Sequence, residues 1–200
     1  MLRQSNKAEQ TGINPVEIIG NWDKGLVMDK HTISSTLKGE NVYGHKEYDT
    51  VRTELGELVF QLKYRSKYDN VYKILEMIKP FLDNFVELKE VDIVLPVPSS
   101  KERDCQPVEE LARAIADYLN VYYTCDVLKK ISPQQSKNMD KSAKCIKGSI
   151  VRKLDAKKPH NVLLVDDLYS TGATLTECVS ALRTDSLLNK VYAVIMTRTK

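Results

Sequence analysis

The alternation of apolar and polar positions divides the chain into three stretches. Residues 1–12 are polar and aperiodic, and read as a flexible tail. Residues 13–65 hold short β-like pieces at 25–28, 31–34 and 55–62, punctuated by Gly20, Gly25, Gly39 and Gly44 as turns. They predict a small antiparallel unit packed on the main body. From Asp69 onward, helical and strand-like patterns alternate. Asp69 can cap a helix carrying Val71, Ile74, Leu75 and Ile78 on one face, which Pro80 ends or kinks, and Pro80 can open a second short helix. Residues 91–97 read as a buried strand. Residues 104–119 place Val108, Leu111, Ala112, Ile115 and Leu119 on one helical stripe, and 121–128 are strand-like. Residues 129–149 are polar and without period. Then come a strand at 162–165, a helix at 173–183 and a last strand at 191–196. Strand–helix alternation of this kind implies an α/β fold with a largely parallel sheet and right-handed crossovers. No internal repeat is present.

The chemistry concentrates where the 162–165 run meets Asp166 and Asp167, followed by Leu168-Tyr169-Ser170-Thr171-Gly172-Ala173-Thr174. Leu175, Val179 and Leu182 then recur at helical spacing, so the segment predicts a buried strand, a tight turn and a helix start. Adjacent carboxylates are costly to bury unless they meet hydroxyl donors or a cation, and a ribose offers two vicinal hydroxyls. The loop 170–174 offers backbone N–H groups and three hydroxyls around a residue without Cβ, at a helix N-terminus, which suits a phosphate dianion. Acids for a sugar beside a nest for its phosphate describe a sugar 5-phosphate site.

These residues resemble the phosphoribosyl pyrophosphate (PRPP) signature of type I phosphoribosyltransferases, including both acids and the Thr-Gly-x-Thr. A second segment, Ile93-Val94-Leu95-Pro96-Val97-Pro98-Ser99-Ser100-Lys101-Glu102-Arg103, runs from a strand into a helix-opening loop and is similar to that family's pyrophosphate loop. Leu95-Pro96-Val97-Pro98, the helix at 109–116 and the upstream Leu62-Lys63-Tyr64 look like the ComF-like branch, linked to competence and DNA uptake. The resemblance covers roughly residues 55–197 and is faint between 129 and 149. Members of that branch often carry a four-cysteine zinc module. No such cysteine set stands in this sequence, so its functions are not carried over.

The resemblance implies a three-layer phosphoribosyltransferase fold over residues 66–200, with residues 13–65 as a β-rich extension or hood. It implies Mg²⁺-dependent binding of PRPP and transfer of phosphoribosyl to a base or amine with release of pyrophosphate. Asp166, Asp167 and Lys101 form the implied catalytic set. Ser170, Thr171, Gly172, Ala173 and Thr174 would hold the 5-phosphate, and Ser99, Ser100, Lys101 and Arg103 the pyrophosphate. Lys137, Lys141 and Lys144 would belong to a loop closing over pyrophosphate, and Leu168 and Tyr169 would lie on the base side. No direct protein ligand to Mg²⁺ is implied; the ion is held through PRPP and water. Ser170 stands where 6-oxopurine transferases carry an aspartate, and serine is a poor general base without a partner, so hypoxanthine or guanine transfer is disfavoured. The chain closes just after its last predicted strand, so residues 13–65 are expected to cover any base pocket. The alternative reading is a non-catalytic PRPP- or nucleotide-binding protein, or a DNA-processing one, on the same fold.

Composition narrows the class. Hydrophobic content of 42% and charged content of 28% are ordinary for a soluble domain, and no apolar run reaches membrane-spanning length. Residues 1–12 lack the apolar core of a signal peptide. Net charge is +3, but residues 129–158 carry nine Lys and one Arg against Asp140 and Asp155, a local balance of +8 that leaves the remainder at about −5. That segment reads either as a solvated loop or as a polyanion site for pyrophosphate or nucleic acid. Cys105, Cys125, Cys145 and Cys178 lack zinc-ribbon spacing and read as reduced thiols of a cytoplasmic protein. Cys125 and Cys178 sit in apolar patterns and are expected in the core; Cys145 is the most reactive candidate. His31, His45 and His160 have no metal-ligand spacing, Trp22 reads as a packing anchor, and a homodimer is possible.

Overall fold

The computed structural model describes residues 12–99, 105–131 and 149–199. Its core is a six-stranded sheet. In chain order its strands are β1 (Val16–Ile18), β2 (Lys24–Lys30), β5 (Ile93–Pro96), β6 (Tyr122–Tyr123), β9 (His160–Tyr169) and β10 (Leu188–Arg198). They lie in the order β1-β2-β10-β9-β5-β6. Only β1, at the edge, runs antiparallel to its neighbour. The expected α/β architecture with a mostly parallel sheet is what the chain adopts. Two separate antiparallel ribbons complete the strands: β3 (Thr32–Glu40) with β4 (Lys46–Arg52), and β7 (Leu128–Lys130) with β8 (Ile150–Arg152).

Strand alternation decides what each face of the sheet carries. Leu163 and Val165 of β9, with Val194 and Met196 of β10, face three helices: α1 (Glu54–Arg65), α2 (Asn70–Asn84) and α3 (Pro107–Leu119). Val162 and Leu164, with Ala193 and Ile195, face α4 (Ala173–Leu182) and Trp22. Both faces of the central strands are therefore covered, which is why β9 and β10 read as nearly continuous apolar runs.

Several sequence expectations change here. Residues 55–62, read as β-like, form α1. Leu55, Gly56, Val59 and Leu62 are the buried positions, a helical spacing that outweighs the local strand propensity. Thr53 caps that helix, accepting from the Gly56 N–H at 3.0 Å and donating to the Lys30 carbonyl at 2.6 Å. Gly56 is needed for a second reason: a Cβ there would sit 2.1 Å from the His31 carbonyl, so only glycine lets α1 dock on the end of β2. β1 and β2, expected in the N-terminal extension, are strands of the central sheet. Pro80 lies inside α2 and does not end it; the helix runs on to Asn84, whose side chain donates to the Pro80 carbonyl at 2.8 Å. Residues 121–128 split between β6 and β7, which belong to different sheets. Cys125 is exposed, not in the core, because it falls in the turn between those strands; Cys178 is fully buried on the sheet-facing side of α4.

Candidate functional site

β5 connects outward to β6 and β9 connects outward to β10, in opposite directions, so the loops leaving β5 and β9 diverge. A crevice opens between such strands at their carboxyl ends, and ligands of open α/β sheets bind there. The cleft at this point has a volume of about 310 Å³. Val97, Pro98 and Ser99 line it from the end of β5, and Asp166, Asp167 and Leu168 from β9. Lys63 and Tyr64 close it from α1, Gln106 to Val108 from the start of α3, Lys130 from β7 and Thr174 from α4.

The two acids stand inside β9, which hydrogen-bonds on to Tyr169, and not at the strand-to-loop junction expected from the sequence. Their side chains have different partners. Asp167 is 5% exposed and is held by Lys63 Nζ, 3.0 Å from Oδ1 and 2.7 Å from Oδ2. Its carbonyl accepts from Thr197 Oγ1 at 2.9 Å, and that hydroxyl meets His31 Nδ1 at 3.0 Å. Asp166 has a backbone partner. Its Oδ1 accepts the Asp167 backbone N–H at 2.8 Å. Burial first, and the Asp167 charge second, push the Asp166 carboxyl up to about 7, opposed by that backbone bond and by Lys63 and Lys130. The His31 imidazole is pushed down by burial and by Arg52.

The loop after β9 is shaped by Gly172, which has φ +78° and forms the N-cap of α4. A Cβ there would lie 2.7 Å from the Tyr169 hydroxyl, so glycine answers both a backbone and a packing demand. Tyr169 does not line the cleft. Its ring packs edge-to-face on Trp22, with centroids 6.4 Å apart, and props the loop from below. Trp22 is buried, as expected of an anchor, and donates to the Ile18 carbonyl at 2.9 Å. Ser170, Thr171 and Ala173 are exposed at the turn, and Thr174 reaches the cleft.

Of the residues singled out in the sequence, Ser99, Asp166, Asp167, Leu168 and Thr174 meet around one cleft. Ser100, Lys101, Arg103, Lys137, Lys141, Lys144 and Cys145 lie outside the described residues. No family model matches the chain, and no curated protein matches it. Among solved structures it is similar to phosphoribosyltransferases. The adenine phosphoribosyltransferase of Saccharomyces cerevisiae is 11% identical, over 83% of this chain and 85% of that one, with a TM-score of 0.44. The adenine phosphoribosyltransferase of Trypanosoma brucei, in complex with AMP, pyrophosphate and ribose-5-phosphate, is 16% identical, over 91% and 73%, with a TM-score of 0.44. The UMP synthase of Leishmania donovani is 15% identical over 82% of this chain, which spans 28% of that protein, with a TM-score of 0.38.

Lys63 and Gln106 were given no site role by sequence reasoning. Neither carries a local signal. Lys63 is a basic residue in the last turn of an amphipathic helix, a position where lysine serves the helix dipole. Lys130, one of many lysines in the basic segment, is distinguished only by its place at the cleft. Among the described residues no group of three His, Cys, Asp or Glu side chains could hold a metal ion, and no helix is long and apolar enough to cross a membrane.

Proposed function

We propose that the cleft binds PRPP with Mg²⁺ and that the protein is a phosphoribosyltransferase. One observation carries this reading. Two adjacent carboxylates near the carboxyl end of β9 line the cleft, five and six residues ahead of a left-handed glycine that opens a helix. Carboxylates accept hydrogen bonds from vicinal hydroxyls, and a helix start behind a glycine turn receives phosphate, so the pair matches a ribose 5-phosphate end to end.

In this reading Asp166 and Asp167 receive the ribose hydroxyls, and the turn at 170–174 receives the 5-phosphate. Ser99, with Ser100, Lys101 and Arg103 beyond it, faces the pyrophosphate. Lys130, which lines the cleft, adds positive charge there. Leu168 forms an apolar wall on the base side. The charge developing on departing pyrophosphate is countered by fixed lysines and backbone dipoles, which need no reorganisation. The developing sugar cation resembles that of glycosyl transfer and is stabilised by nearby carboxylate.

In this reading Mg²⁺ would be held through the phosphate oxygens of PRPP and water. The Asp166 carboxyl, half-buried in the cleft lining and pushed up to about 7, fits a site completed by a polar ligand. When bound, Mg²⁺ supplies charge neutralisation at the pyrophosphate. The test is calorimetric titration of the protein with PRPP and Mg²⁺, beside Asp166→Asn and Asp167→Asn. Saturable heat in the wild type and none in the variants is the expected result; no heat in the wild type sinks the reading. Pyrophosphate release across a panel of bases and amines then separates a transferase from a protein that only binds.

A further inference from the structure

We infer that Lys63 is a positioning residue for the acid pair: from helix α1 it holds the Asp167 carboxylate in place and sets the charge that Asp166 faces. The inference rests on the ligand reading above for its binding consequence, but not for its electrostatic one. Successive strand residues point to opposite sides, so Asp166 and Asp167 meet different neighbours. Asp167, nearly buried, accepts a hydrogen bond from the Lys63 ammonium on Oδ1 at 3.0 Å, and its Oδ2 lies 2.7 Å from the same nitrogen in an ion pair without a hydrogen bond of its own. A buried carboxylate without such a partner is strongly unfavourable, so the pair fixes where Asp167 points.

The charged and titratable groups around Asp166 come from every side. Asp167 is its strand neighbour, Lys63 reaches over from α1, Lys130 stands on β7, and the buried thiol of Cys178 lies behind it on α4. His31, at the end of β2, contacts the pair through Thr197. Lys63 makes a direct ion pair with Asp167. Removing it leaves Asp166 facing the Asp167 charge with one opposing cation fewer. The proton affinity of Asp166 then rises, and Asp167 loses its orientation. Both changes weaken a hydroxyl-bearing ligand, because a protonated or misdirected carboxyl is a poorer acceptor.

The experiment has two readouts. Protein carrying ¹³C-carboxyl aspartate is titrated without ligand, with Asp166 assigned by Asp166→Asn. Lys63→Gln and Lys63→Met should move the Asp166 midpoint upward, and Lys63→Arg should return it towards the wild-type value. Asp167→Asn, which removes the opposing charge, should move it downward, and it reads the coupling independently if the Lys63 variants do not fold. Calorimetry with Mg²⁺-PRPP should then show affinity roughly tenfold weaker or more in Lys63→Gln, rescued by Lys63→Arg, as for loss of one charge-assisted contact. An Asp166 midpoint that ignores both Lys63 and Asp167 substitutions overturns the inference, as does unchanged affinity in folded Lys63→Gln. If wild-type protein binds no PRPP, the ligand reading fails, while the ligand-free titration still decides the role of Lys63.

Discussion

Lys63 Nζ lies 2.7 Å from Asp167 Oδ2, although 104 residues separate the two in sequence. The contact joins α1 to the carboxyl end of β9 and makes the two adjacent acids unequal. Asp167 is buried and held in a salt bridge; Asp166 is half-buried at the cleft and, among the described residues, takes a backbone donor on its carboxylate.

That inequality gives a pH signature. Asp166 is raised in the folded state from an ordinary 3.8 to about 7, so the native protein binds a proton there that the unfolded chain has released. Stability from this group is present at low pH and is lost as pH rises through that window. Asp166→Asn should therefore leave thermal stability near pH 4 little changed and raise it at pH 8 by on the order of 1–3 kcal/mol. Melting curves of both proteins from pH 4 to 8 provide the check; a constant offset across the range contradicts it.

Gly172→Ala meets two obstacles, the left-handed backbone and the Tyr169 hydroxyl 2.7 Å from the new Cβ. A loss of roughly 1–3 kcal/mol in urea unfolding is expected. Adding Tyr169→Phe removes the nearest clashing atom and should recover part of the loss but not all, since φ is unchanged. Full recovery would mean that backbone strain contributes nothing.

Trp22 is the only tryptophan of the chain and stacks edge-on against Tyr169, which supports Gly172. Ligand seated on the 170–174 turn should therefore change its emission, with the same midpoint as the calorimetric titration. Trp22→Ala should cost about 3–5 kcal/mol, as for other large-to-small core changes. Fluorescence that stays flat during saturable binding would separate the ligand from this loop.

Thiol labelling should divide the cysteines. Cys125 is exposed, and Cys178 is buried, with burial and Asp166 pushing its thiol strongly upward. In a Cys145→Ser background, a disulfide reagent should modify Cys125 in native protein and reach Cys178 only on unfolding. Modification of Cys178 at the rate of Cys125 would contradict its burial on the sheet-facing side of α4.

Much of this was legible in the chain. The period change after Asp69, the continuous apolar run of β9 and the Gly172 turn are local features, and local sterics and burial periodicity state them directly. The leucines and valines of residues 55–62 suit either element. The deciding term was the Thr53 cap together with the docking of Gly56 on His31, a contact made 25 positions away. Cys125 was misread because an apolar neighbourhood in sequence does not say which loop leaves the sheet.

What the sequence determined by itself was the chemical inventory: two carboxylates, a hydroxyl-rich glycine turn and a helix start, contiguous and hence inevitably close. What only the tertiary structure decided was how the two carboxylates differ. Their neighbours, Lys63 from α1 and Lys130 from β7, come from segments whose proximity depends on sheet order. Electrostatic environment is set by distance in space, and no spacing along the chain encodes it.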